Sequence, residues 1–402
     1  MLANLRFQVG LLAGLQALLL VNNVTLMAVT GLAGAALAEN KAFATVPLSA
    51  YVLGSALASI PAAHYMRRAG RRAGYTLGAG FGFLGACISA LGVSVGSLAV
   101  LCLGTLLTGG YAAFAVSYRF AAADAADAYR PDFRSRAISL VLAGGIAGGI
   151  IGPELSKFSR TLLAVDFAGT YLTLAGFAVV VMLLLRLLRL PHGEAAAAAT
   201  GSGRGLAEIL RQPRCWVALL AATIGYGVMN LLMVATPLAM QLCSHPYAAA
   251  AMVIEWHVVG MFLPGLVTGT LIARFGVLPI LICGGLLMLA CTAIALNGVD
   301  ITHFFVALLL LGVGWNFMYT GATTLLTTSY QPSEKAKVQG FNDACVFAVM
   351  FTSSLSSGVL LHLRGWESLH LLAIPLVALG LLAAAWLGGN TGWRLGMAPA
   401  AR

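Results

Sequence analysis

Charge is what this chain has least of. Of 402 residues, 23 are Lys or Arg and 13 are Asp or Glu, together 9%. A soluble domain carries about a quarter, so a water-facing surface of ordinary size is excluded. Cysteine is sparse and unpaired in pattern. None of Cys87, Cys102, Cys215, Cys243, Cys283, Cys291 and Cys345 forms a Cys-x-x-Cys, which removes the common zinc and redox spacings. Most of them lie inside apolar runs and read as small buried hydrophobes. No Walker sequence, dinucleotide glycine fingerprint or hydrolase elbow occurs, so no enzyme is expected. The apolar run after Arg6 leads into a full span with no processing pattern, so no cleaved signal peptide is expected. Net charge is +10. The basic residues fall mostly between apolar runs, which argues against nucleic acid as a partner and for a bilayer.

What is present is hydrophobic length. The chain is 60% hydrophobic, enough for about twelve spans at roughly 20 residues each. The expected spans are 8–34, 42–65, 73–94, 97–121, 136–158, 163–188, 214–241, 247–272, 277–297, 302–328, 337–361 and 367–388. In lipid their backbone polar groups must pair internally, so all twelve are expected to be helices. The polar stretch 189–213, with an alanine run and Gly-Ser-Gly-Arg-Gly, reads as a linker. It separates an N-terminal six-helix half, 1–188, from a C-terminal one, 214–402. Lys and Arg gather at the N-terminus, the even-numbered connections and the C-terminus, with Arg67, Arg68, Arg71 and Arg72 the densest group. That bias predicts both termini in the cytoplasm.

Four residues suggest chemistry. Met229-x-x-x-Met233 and His257-x-x-x-Met261 lie in consecutive spans. A spacing of four puts each pair on one helix face. Thioethers and a neutral imidazole are soft donors that favour Cu(I). Met also fills gaps in ordinary cores, and from pattern alone the two readings divide evenly. An imidazole within hydrocarbon is costly and generally functional. Met240, Cys243 and His245 form a candidate relay at the outer mouth, with a plain loop as the alternative. Arg119, Asp124, Glu154, Glu255 and Asp343 are candidates for gating or proton coupling, with Arg119 expected to pair with Asp124 or another acidic group near the inner surface. Gly148-x-x-x-Gly152-Pro153 reads as close packing plus a bend. Asn22, Asn23, Asn230, Trp315, Asn316, Tyr319, Gln339 and Asn342 are candidates to line a cavity, as a large organic solute requires.

Two sets of motifs carry a resemblance. Twelve spans in two sixes, with Pro61–Arg72 matched weakly by Gly269–Gly276, resemble the major facilitator superfamily. That likeness implies an all-α membrane fold and alternating access. The superfamily's acidic residue before Arg-x-Gly-Arg is absent; Arg67 and Ala273 stand there. More narrowly, Met229–Met240 and Ile254–Pro264 resemble the CcoA-like copper importers, whose Met-x-x-x-Met and His-x-x-x-Met bind copper in passage. The RfnT-like riboflavin transporters are a sister branch with much the same background. The resemblance therefore implies a monomeric bacterial inner-membrane importer with no permanently bound cofactor. Copper is the first expected substrate and riboflavin the second.

Overall fold

The computed structural model describes residues 2–129, 133–190 and 203–391. Among them all regular structure is helical. The helices are α1 (Leu2–Leu37), α2 (Val46–Ala69), α3 (Arg71–Ser94), α4 (Leu98–Ala115), α5 (Tyr118–Tyr129), α6 (Arg134–Ser159), α7 (Ala168–Leu185), α8 (Leu206–Leu210), α9 (Pro213–Leu242), α10 (Tyr247–Phe262), α11 (Gly265–Phe275), α12 (Val277–Leu296), α13 (Ile301–Thr327) and α14 (Lys335–Thr391).

Among the described residues nine helices are long and apolar enough to cross a membrane, or ten if the bent pair α10–α11 is one span. Besides α6, which lies over the expected span 136–158 and is not among the nine, three features depart from the expected spans for backbone reasons. The last two expected spans are joined as α14, broken only at Gly365, φ 78°. The fourth span continues past a break at Val116–Ser117 into α5. The eighth is bent 41° between α10 and α11. Pro264, which has no N–H to give Gly260, stands at that bend. Of the linker 189–213, residues 191–202 lie outside the described residues.

The corners after α2 and α11 match. Gly70 has φ 86°, ψ 156° and Gly276 φ 93°, ψ 162°. An L-residue with a Cβ is strained there. Contacts divide the chain into two compact units, Met1–Ala196 with Ser244–Glu255, and Ala197–Cys243 with Trp256–Arg402.

In the first unit α1 and α6 pack backbone to backbone. A Cβ at Gly148 would stand 2.5 Å from Ala17 O, and one at Gly144 would stand 2.3 Å from Ala13 O. Thr25 donates to Gly152 O at 3.0 Å, one residue before Pro153. The glycine motif is thus a packing device, as small-residue stripes are in membranes. In the second unit Ile209, Cys215, Leu278, Leu325 and Leu387 share one core, which docks the short α8. Ile60, Phe158, Leu242 and Leu382 stand among the exposed side chains, as lipid-facing positions allow.

Candidate functional site: an aromatic cluster beside a broken helix

In the second unit the middles of α9 and α13 meet the C-terminal end of α10. Trp315 and Tyr319, one turn apart on α13, stack with centroids 5.4 Å apart and planes 9° apart. Tyr226 of α9 meets both edge-on, at 5.1 Å and 4.7 Å. Phe262, the last residue of α10, approaches Trp315 at 6.3 Å. Offset stacks and T-shaped pairs are the favoured arrangements for such rings. Trp315 is only 6% exposed, while Tyr226, Phe262 and Tyr319 are half-buried. The Trp315 Nε1 is buried with no hydrogen-bond partner.

The α10–α11 break is held by side chains. Asn316 Nδ2 donates to Met261 O at 2.7 Å. The Thr268 hydroxyl lies 2.7 Å from both Asn316 Oδ1 and Pro264 O. Carbonyls released by an interrupted helix need such partners within hydrocarbon. Interrupted helices near the midplane are where carriers place their sites.

The expected metal residues are all buried in this unit. His257 Nδ1 is 2.7 Å from Leu308 O of α13. A carbonyl only accepts, so Nδ1 carries the proton. Nε2 is then a bare acceptor, buried and unpartnered. Met229 lies one turn beyond Gly225, whose added Cβ would touch Met318 of α13, so it shares the face of α9 turned to α13. Among the described residues no group of three or more His, Cys, Asp or Glu is placed to hold a metal. Met240 is fully buried in α9. Cys243 caps that helix and, like His245, is half-buried.

The expected Arg119–Asp124 pair does not form. Asp124 instead binds Arg71, Nη2 to Oδ2 at 2.5 Å. Five residues along a helix is about 140° of rotation, so Arg119 and Asp124 face apart. The Arg119 guanidinium lies over Phe120, 4.9 Å from the ring centroid. Arg71 begins α3 and thus acquires an acidic partner that its own turn does not supply. Tyr75 OH and Ser117 Oγ, 3.0 Å apart, extend the same cluster.

Glu154 is paired with Lys157 at 2.5 Å, and Glu255 faces both within the first unit. Asp343 accepts from Asn342 Nδ2 at 3.2 Å. Of the other expected lining residues, Asn23 accepts from Tyr51 OH at 2.9 Å. Asn22 Oδ1 is buried without a partner. Asn230 Nδ2 is spent on Met350 O, Ser353 and Ser354. Gln339 donates to Tyr330 OH at 2.7 Å.

Sequence reasoning missed Tyr226 and Phe262. Tyr226 lies at mid-length in α9, and Phe262 directly precedes the Leu-Pro break; those positions are the signals available. Also missed was Arg160, set over Tyr247 at 4.8 Å and over Phe167 at 5.1 Å, with Tyr247 OH donating to Ser156 at 2.7 Å.

Long apolar helices, one pair of them bent at a break, define a multi-pass membrane protein. The chain belongs to the Major Facilitator Superfamily, whose family model matches residues 10–265 and 230–392. It is similar to the riboflavin transporter RfnT of Brucella anthropi, 42% identical over 354 residues, 88% of each chain. It is also similar to the uncharacterized MFS-type transporter YdeG of Bacillus subtilis, 27% identical over 87% of this chain and 84% of that one. Among solved structures, a point mutant of the nucleoside transporter NupG aligns with TM-score 0.76 and 13% identity, covering 95% of this chain and 99% of that one. The D-xylose-proton symporter gives TM-score 0.73 and 15% identity, covering 98% and 99%. These two share the fold. The relatives named are transporters, in keeping with the expectation of no enzyme.

Proposed function

We propose that this chain is a secondary transporter of riboflavin or a closely similar flat heteroaromatic solute, moved by alternating access. The ring cluster of Tyr226, Phe262, Trp315 and Tyr319 carries the reading. A planar solute is bound most readily by rings on which it can stack. The 42% identity to a riboflavin transporter favours this ring system over others. The Arg and Lys distribution favours both termini in the cytoplasm, and the similarity to a Brucella transporter favours a bacterial inner membrane.

Copper import, the first expectation from the Met and His motifs, becomes the second reading. It keeps one supporting observation, the bare buried Nε2 of His257, since a ligating imidazole commonly fixes its other nitrogen on a carbonyl. The similarity to a riboflavin transporter weighs against it.

The test is uptake of labelled riboflavin by a bacterial riboflavin auxotroph expressing the chain, with and without a Cu(I) chelator. Saturable uptake indifferent to the chelator is expected. Absent riboflavin uptake, with the protein present in the membrane, refutes the reading. Copper accumulation that H257A abolishes would move the assignment to the second reading.

A further inference from the structure

We propose that the ring cluster reads the fused-ring part of the solute, not its hydroxylated tail, and that the Trp315 indole N–H donates to an acceptor on the edge of the stacked ring. The inference rests on the function proposed above.

Three observations carry it. Trp315 is packed among three other aromatic rings. Three of the four rings keep part of their surface open, so a flat molecule has rings to add to. Most decisive is the Nε1 itself. An indole N–H only donates, and this one is buried with no acceptor in reach. Buried donors are nearly always met, and an exception calls for an explanation.

Other donors of this unit's helices are already spent. Asn316 Nδ2 is used on Met261 O, Asn230 Nδ2 on Ser353 and Ser354, and His257 Nδ1 on Leu308 O. An isoalloxazine ring presents carbonyl oxygens and ring nitrogens along its edges. A solute stacked here brings Trp315 the acceptor that the protein withholds. A polyol tail has hydroxyl oxygens that could accept from an N–H but no face to stack on the four rings, so the rings favour the flat part of the solute.

The experiment measures riboflavin binding to the purified full-length chain by quenching of flavin fluorescence. Lumichrome, the related alloxazine ring with the same dicarbonyl edge and no tail, and ribitol, the tail without its ring, compete. In the unmodified chain, lumichrome is expected to displace riboflavin and ribitol in large excess is not. W315F keeps an aromatic ring and loses the N–H, and should weaken riboflavin and lumichrome by the same factor, about tenfold. A benzothiophene isostere of tryptophan at position 315, sulfur replacing N–H, serves if W315F is not monodisperse. Ribitol competing where lumichrome does not overturns the ring assignment. Riboflavin affinity within twofold of the unmodified chain, in either variant, overturns the donor role while leaving riboflavin transport intact. Failure of the unmodified chain to bind or take up riboflavin refutes the proposed function instead. The donor role then stands or falls on whether lumichrome binds and whether removing the N–H weakens it.

Discussion

Replacing Asn316 by Leu tests how the broken helix is held. The substitution roughly keeps side-chain volume and removes both amide groups. Met261 O then loses its 2.7 Å donor, at a site where water is excluded and Asn316 itself is 6% exposed. An unmet buried carbonyl costs about 1–3 kcal/mol. The Thr268 hydroxyl also loses Asn316 Oδ1, but it keeps Pro264 O at 2.7 Å, so little is added there. At about 2–4 °C per kcal/mol for a body of this size, the thermal midpoint of the solubilised protein should fall by roughly 2–12 °C. T268V should cost about 1 kcal/mol. The double variant should cost less than the sum of the two, because the Asn316–Thr268 contact is lost in either single change. Uptake should fall with N316L as well, since Phe262 adjoins the released carbonyl and faces Trp315. An unchanged midpoint in N316L would refute the claim that this side chain sustains the break.

Other outcomes are as specific. The Arg71–Asp124 pair is 30% and 50% exposed at its side chains, so R71A or D124A should lower stability by less than about 1 kcal/mol in a melting assay. G148A should destabilise, because its Cβ meets backbone at 2.5 Å, whereas G176A has nothing within 4 Å and should gain up to about 1 kcal/mol from helix propensity; paired melts of the two variants decide this. Arg204 grips Glu334 through Nε at 2.9 Å and Nη2 at 2.8 Å. Chiefly through these hydrogen bonds, the Glu334 carboxyl is held down to about 2 from 4.5. A carboxyl lowered on folding stabilises above its unfolded value, and that gain is lost as pH falls through the folded one. Protease protection of Arg204–Gln212 should therefore hold at neutral pH and decline between 4.5 and 2, with E334Q removing the dependence.

The spans were legible because hydrocarbon leaves a chain few options: long apolar runs with internally paired backbones. Their interruptions were less so. Gly365 and Pro264 were in plain view, yet whether a glycine or proline bends, breaks or merely packs depends on what its neighbours satisfy. Asp124 illustrates the harder limit. Its partner lies 53 residues away, and only the packing of α3 beside α5 reveals it. At the candidate site Trp315 and Tyr319 are legible as polar aromatics inside an apolar span, while Tyr226 joins them only through the approach of α9. Met229, Met233, His257 and Met261 attracted notice by element type. Burial alone does not separate a ligand from a well-packed side chain, and for His257 the informative detail, which nitrogen is occupied, is a tertiary fact.

The corner at Gly70 has a stereochemical corollary. Its φ of 86° is reached with open space where a side chain would begin. What bars other residues is therefore handedness and not room. A D-alanine placed there by chemical ligation should fit the turn and stiffen it, whereas its L-enantiomer should strain it. The two variants would share one composition and differ only in chirality.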